Sequence, residues 1–336
     1  MKSNKRATVM KKSNVDLSRI DHLVDKSRTV LVSGHKNPDG DSVASSLAMA
    51  SLLKSLGKEV SIYSGDPLPY NYMFLKGSNE IIFDLPEKEV DLFLIVDAGS
   101  IDRIDNRLRK KMVESDSPRI LFDHHIITDS VKKFYTEIFV DEGACATSAL
   151  VFRWVEGRNL SIEENVAEAI YAGIISDTGG LRYGSTNKES FEILSKLVDK
   201  VSPWKIATEI YEKVPVNQLK MLSEVLSEMV ILAEGKAAVI KITNRQLEKY
   251  GLSADHIDSF VNFPRSIKGV SIAMRFRELD ENFWKVSMRS RNGIDAHKIA
   301  SGFGGGGHRN AAGFIFKGSF EEGMKKVEDI VNSVSK

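Results

Sequence analysis

Four short apolar runs, TVLVSG (29–34), EVSIYS (59–64), DLFLIVDA (91–98) and RILFDHH (119–125), carry mostly consecutive rather than alternating hydrophobic residues. That is the signature of strands covered on both faces, as in a parallel sheet. Between the first two, SVASSLAMASLLKSLG (42–57) has helical periodicity, small residues suited to close packing, and Gly57 where a helix would stop. Strand, helix and strand recurring in this way predict a doubly wound α/β domain. Two helical stretches follow, ATSALVFRWVEG (146–157) and IEENVAEAIYAGIISDTG (162–179).

From Lys188 to Leu232 the pattern is helical, broken at Pro203 and Pro215, with no strand candidate. Beyond it come strand-like KAAVIKI (236–242), GVSIAMRFRE (269–278) and NFWKVSMRSR (282–291). Helix-like DAHKIASGF (295–303), the glycine run GGGGH (304–308) and an amphipathic helix near SFEEGMKKVEDIVNSVSK (319–336) complete the chain. The expected organisation is a mainly parallel α/β domain over 15–195, a helical linker over 196–232 and a smaller α+β domain over 233–336.

Length supports two cores, since 336 residues exceed what one ordinary core serves. The net charge of +1 means that any basic surface is local. No apolar stretch approaches the roughly 18 residues of a spanning helix, so no membrane association is expected. Cys145 is the only cysteine, which excludes an internal disulfide and cysteine-rich zinc motifs and suits a reducing cytoplasm. The basic opening MKSNKRATVMKKSN lacks the apolar core of a secretory signal and is expected to be a frayed tail.

The candidate chemistry sits at strand ends, where open α/β sheets collect their ligands. His35, Asp39 and Asp41 follow the first strand, Asp97 the third and Asp123-His124-His125 the fourth, while Asp177 closes a long apolar helix. Taken singly, Asp39-Gly40 reads as a turn and Asp41 as a helix cap. Together, so many carboxylates and imidazoles repel and resist burial unless divalent cations neutralise them. An oxygen-rich set with a few imidazoles favours Mn²⁺ or Mg²⁺ over structural zinc. The number of candidate ligands suggests two ions, the common arrangement for phosphoester hydrolysis. Gly40 would let the backbone bend so that Asp39 and Asp41 address neighbouring ions. In the second domain, GGGGH reads either as a flexible connector or as a backbone anion nest. Arg289 and Ser290, with Arg291 ranked lower, end the preceding strand as candidate phosphate donors.

At these residues the chain resembles the DHH phosphoesterase family in its DHH plus DHHA1 form. The matches are H-K-N-P-D-G-D (35–41), D-A-G-S (97–100), D-H-H (123–125), D-T-G (177–179) and G-G-G-G-H-R-N-A-A-G (304–313). The similarity is greatest to the small members that degrade very short oligonucleotides. The resemblance implies a first ion on His35, Asp39 and Asp97, and a second on Asp41, Asp97, His124 and Asp177, with Asp97 bridging. It turns His125 toward the substrate phosphate as a catalytic group, with Asp123 orienting the histidines. Arg289, Ser290, Gly305, Gly306, Gly307, His308 and Arg309 would grip the far end of the substrate, and Arg182 is a weaker phosphate candidate.

The expected activity is hydrolysis of 5′-phosphorylated oligonucleotides of a few residues, with two Mn²⁺ (or Mg²⁺) and with pAp as a further substrate. A long duplex is not an expected partner, and a homodimer follows from family resemblance alone. The alternatives are a cyclic dinucleotide (c-di-AMP) phosphodiesterase, a RecJ-like single-strand exonuclease and a non-catalytic nucleotide sensor.

Overall fold

The computed structural model describes residues 17–334, so the basic opening segment lies outside the described residues. The first part of the chain runs α1 (Ser18–Lys26), β1 (Thr29–Ser33), α2 (Gly40–Ser55), β2 (Glu59–Tyr63), β3 (Leu92–Val96), α3 (Asn106–Val113), β4 (Arg119–Asp123), α4 (Asp129–Phe134), β5 (Glu137–Val140), α5 (Thr147–Gly157) and α6 (Glu164–Asp177). Its five strands form an all-parallel sheet in the order β2-β1-β3-β4-β5. All five residues of β3 are buried, as its unbroken apolar run requires. One face packs on α2, α5 and α6, and the other on α3 and α4. Strand order reverses between β1 and β3, so the segments leaving their carboxyl ends part and open a crevice.

Helix α2 is buried almost all round. Its polar residues are accommodated because Ser45 and Ser46 return their hydroxyl hydrogens to the carbonyls of Asp41 (2.6 Å) and Ser42 (2.7 Å). Gly57 has φ +78°, the left-handed conformation of a helix stop. Strand β5 has no counterpart among the apolar runs. It is the sheet edge and only one of its four residues is buried, so it lacks a continuous hydrophobic signal.

Three helices follow, α7 (Lys188–Leu197), α8 (Pro203–Tyr211) and α9 (Val216–Ser227). The prolines mark starts rather than mere breaks: Pro203 is the first residue of α8, and Pro215 precedes α9. Ile193, Leu197, Ile206 and Ile210 join the first core, whereas Met221, Leu222 and Val225 pack on Ile240, Ile242 and Phe260 of the second part. The change of core therefore falls between Tyr211 and Val216. The expectation of no strand before Leu232 is corrected by β6 (Val230–Leu232), a three-residue edge strand without a buried residue.

The remaining elements are β7 (Ala237–Ile242), α10 (Asn244–Tyr250), α11 (Asn262–Ser266), β8 (Ile272–Asp280), β9 (Phe283–Ser290), α12 (Ala296–Ser301), β10 (Gly306–His308), β11 (Ala311–Lys317) and α13 (Phe320–Val334). They build a mixed six-stranded sheet ordered β10-β11-β9-β8-β7-β6. Met274, Phe276, Trp284, Val286 and Met288 form a core with Val327 and Val331 of α13. Alternation then sends Lys285, Ser287 and Arg289 of β9 to the opposite face, where Arg277 and Arg275 of β8 pair with Lys285 and Ser287. One face of this sheet is apolar throughout, and the other is cationic over β8 and β9 but apolar at Ile240 and Ile242 of β7, where α9 packs.

The glycine run is part of the sheet rather than a free connector, because Gly306 and Gly307 pair with Gly313 and Ala312. A Cβ on Gly305 would stand 2.2 Å from the Gly313 carbonyl oxygen, and one on Gly307 2.5 Å from that of Ala311. These two glycines are required by the close approach of β11.

Candidate active site

The segment between β1 and α2 places its polar groups through backbone contacts. The Asp39 carboxylate caps α2 by accepting the Ser42 N–H through Oδ1 (3.0 Å). Its Oδ2 lies 3.6 Å from His35 Nε2. His35 Nδ1 donates to the Lys36 carbonyl (2.7 Å), and since a carbonyl only accepts, the neutral ring presents Nε2 as a lone pair. Gly40 is needed for proximity rather than for a bend: a Cβ there would stand 2.1 Å from Tyr72 Cζ and 2.2 Å from Ser176 Oγ. The start of α2 thereby abuts the end of α6, bringing Asp39 and Asp41 toward Asp177.

Asp97 leaves β3 with φ +58° and is followed by Gly99 at +67°, a left-handed pair at the head of the crevice. Its Oδ1 accepts from Thr147 Oγ1 (2.9 Å) and lies 3.4 Å from His124 Nε2, while its Oδ2 lies 3.6 Å from His35 Nε2. His124 Nε2 is also 3.7 Å from Asp177 Oδ2. Two triads result, His35-Asp39-Asp97 and Asp97-His124-His125, each with its ligand atoms within 4.8 Å of one another and both containing Asp97.

Asp123 is fully buried and holds the next residues in place. Its Oδ1 accepts from the backbone N–H (2.9 Å) and Nδ1 (2.7 Å) of His125, and its Oδ2 from the Gly99 N–H (2.5 Å). Asp41, also buried, accepts from the Thr147 and Ser148 backbone N–H groups (2.6 and 3.0 Å) and from Ser148 Oγ (2.5 Å). It therefore faces the amino end of α5 as well as the cluster, and the helix dipole favours its charge.

The electrostatics show a cluster with too much negative charge for its protein partners. Burial, with the charges of Asp97 and Asp177, pushes the Asp41 carboxyl well above the usual range. Burial likewise lifts Asp177 to about 6, against the pull of His124. Burial opposes charge on His35 as well, yet its Asp39 and Asp97 contacts raise it to about 9. Asp97 goes well below its ordinary value because His124 and His35 outweigh its burial. The decisive detail is His35 Nε2, which is buried without a hydrogen-bond partner and stands between two carboxylate oxygens at 3.6 Å each. Those separations are too long for hydrogen bonds and leave room for an ion between the three atoms. The residues present fit a divalent cation.

In the second part, Arg289 donates Nη1 to the Met288 carbonyl (3.1 Å), and its buried Nε has no partner. Ser290 is buried, and its hydroxyl bonds the Ile294 carbonyl (2.7 Å) and lies 3.3 Å from that of Arg309. Gly306 faces open space, Arg309 is exposed, and the His308 side chain lies outside the described parts. Arg182 is exposed and donates Nε to the Gly179 carbonyl (2.7 Å). Between the two parts, Tyr183 donates to Asn262 Oδ1 (3.2 Å), and the Arg265 guanidinium lies 4.4 Å above the Tyr183 ring.

Sequence reasoning missed the Thr147-Ser148 donors, which the ATSAL segment offers as a helix start, and Arg103. The latter closes a single 3-10 turn (Ile101–Arg103) with no pattern to mark it, and its Nη1 is 3.1 Å from His125 Nε2.

Residues 29–174 match the model of the DHH family, N-terminal domain, and residues 234–334 match that of the DHHA1 domain. The chain carries a DHH-family N-terminal domain followed by a DHHA1 domain. This DHH–DHHA1 chain is 28% identical over 290 residues to the bifunctional oligoribonuclease and PAP phosphatase NrnA of Thermus thermophilus, covering 86% of this chain and 84% of that one. It is 27% identical to the protein of the same name from Bacillus subtilis, covering 85% and 88%. Among solved structures, an exopolyphosphatase-related protein from Bacteroides fragilis superposes with a TM-score of 0.85 at 28% identity, covering 94% of this chain and 95% of that one. The DHH phosphoesterase resemblance and the two-part α/β architecture drawn from the sequence both hold. Among the described residues no helix is long and apolar enough to cross a membrane.

Proposed function

We propose that this DHH phosphoesterase is a divalent-metal-dependent phosphodiesterase that hydrolyses very short 5′-phosphorylated oligonucleotides to nucleoside monophosphates, with pAp as a second substrate through removal of its 3′-phosphate. The observation that carries the metal assignment is the unpartnered, buried His35 Nε2 between Asp39 and Asp97. One ion would be held by His35, Asp39 and Asp97, and a second by Asp97, His124, Asp177 and Asp41. The relatives named as oligoribonucleases support the choice of substrate class. When bound, the ions supply neutralisation of phosphoryl charge and a water-derived nucleophile at neutral pH.

The chain's own residues do the rest. Asp123 fixes His125 with its Nδ1 hydrogen inward, so that ring cannot rotate. Thr147 steadies Asp97 and the α5 terminus steadies Asp41, which keeps the carboxylates aimed without reorganisation. The second domain, proposed as 233–336, grips the far phosphate through Arg289, with Gly305–Gly307 and Arg309 on the neighbouring edge. A grip of this size suits a few nucleotides, because a long strand needs an open basic track with stacking rings.

The test is a panel of 5′-phosphorylated dinucleotide, five-residue and long RNA, pAp, cyclic di-AMP and pyrophosphate, with Mn²⁺ and with chelator. Dinucleotide and pAp hydrolysis should exceed that of the long strand and fall to background in chelator, returning when Mn²⁺ is restored. Full turnover in chelator contradicts the metal assignment, and preference for the long strand contradicts the short-substrate reading.

A further inference from the structure

The His125 imidazole is satisfied in a way that redirects attention to its neighbour. Asp123 Oδ1 only accepts, so His125 Nδ1 carries the hydrogen at 2.7 Å. A guanidinium only donates, so His125 Nε2 accepts from Arg103 Nη1 at 3.1 Å. The ring is then neutral and has no hydrogen to offer from Nε2. The group with hydrogens and positive charge at this point is Arg103.

Three further observations bear on that guanidinium. Among the described residues it makes no ion pair with a carboxylate, and its side chain's one hydrogen bond is to His125, so most of its fork is uncommitted. Glycine at residue 99 leaves room beside it: a Cβ there would press on both Arg103 Nη1 and His125 Cγ at 3.1 Å, so one of them would have to shift. Its neighbours are also suited to an anion. His125 Nδ1 is 3.5 Å from Asp97 Oδ1, which ties Arg103 to the metal cluster. In the second part, burial holds the Lys285 ammonium below its usual value, with the charges of Arg275, Arg277 and Arg103 adding to this against Asp258.

We propose that Arg103 is a catalytic residue: its guanidinium contacts the non-bridging oxygens of the scissile phosphoryl group, aimed there by the chain Asp123, His125, Arg103. This rests on the phosphodiesterase reading above. No proton moves in this role. Arg103 supplies charge-assisted hydrogen bonds that strengthen as charge gathers on those oxygens, and its backbone carbonyl, which accepts from the Lys36 N–H (2.7 Å), is untouched by side-chain replacement.

The experiment compares the wild-type chain with Arg103→Gln and Arg103→Lys, all loaded with Mn²⁺, on a 5′-phosphorylated adenosine dinucleotide. Arg103→Gln should lower kcat about 10²–10³-fold, with KM and bound manganese little changed and Arg103→Lys intermediate. Replacing a non-bridging oxygen of the scissile phosphate by sulfur should slow the wild type more than Arg103→Gln, since the contact being disturbed is already gone. Calorimetric binding of inorganic phosphate, which needs no turnover, should weaken about tenfold in Arg103→Gln. That result supports the contact even if the dinucleotide is not hydrolysed by any of the three proteins, in which case the substrate reading fails separately. Unchanged phosphate binding overturns the proposal. So does a kcat within about twofold of wild type, or an activity loss that follows loss of manganese.

Discussion

Asp97→Asn should reduce turnover by at least about 10³-fold while leaving the fold intact. The substitution is chosen for the backbone: Asp97 has φ +58°, and asparagine is among the few residues that tolerate this region, whereas alanine would add strain of about 1–2 kcal/mol. The asparagine carbonyl can still accept from Thr147 Oγ1. What disappears is the charge shared by both triads. A crystal structure or circular dichroism and melting of the metal-free protein should show the same fold, and assay of the loaded protein should show the loss. Near-normal turnover would remove Asp97 from the bridging position.

Asp123→Asn should be nearly as damaging to catalysis, by a different route. All three of its side-chain hydrogen bonds come from donors: the His125 N–H and Nδ1–H on one oxygen and the Gly99 N–H on the other, inside a site where it is 0% exposed. An amide nitrogen must face at least one of those donors, leaving a buried unmet group that costs about 1–3 kcal/mol. It also frees His125 to adopt the other tautomer, which in comparable histidine–aspartate pairs lowers kcat by as much as about 10⁴-fold. The expected result is a kcat loss of about 10²–10⁴-fold with a melting temperature only a few degrees lower. Lower melting with unchanged kcat would make Asp123 a purely structural residue.

How far the sequence speaks for itself differs by feature. Strands β1, β3 and β4 are legible because burial on both faces demands unbroken apolar runs, and β2, a sheet edge, through its shorter apolar pattern ending in the buried Ile62 and Tyr63; most ligand candidates are legible because they follow those runs at the carboxyl end of the sheet. Strands β5 and β6 are edges with few buried residues, so nothing in their pattern separates them from loops. Strand β10 is hidden in a glycine run whose composition argues for a loop, although two of its glycines serve strand proximity. The role of Gly40 was legible only in part: its smallness matters, but the reason is contact with Tyr72 and Ser176, residues distant in sequence. Arg103 and the Thr147-Ser148 pair escape for the same reason, since their partners His125, Asp97 and Asp41 are brought to them by the fold.

Two cations sharing Asp97 would form an exchange-coupled pair. Electron paramagnetic resonance during titration of the metal-stripped protein with Mn²⁺ measures this directly. Two ions bound per chain with an exchange-coupled spectrum in the wild type, and loss of that coupled signal in Asp97→Asn, is the predicted result. Two uncoupled ions, a single ion, or binding unaffected by Asp97→Asn would contradict it.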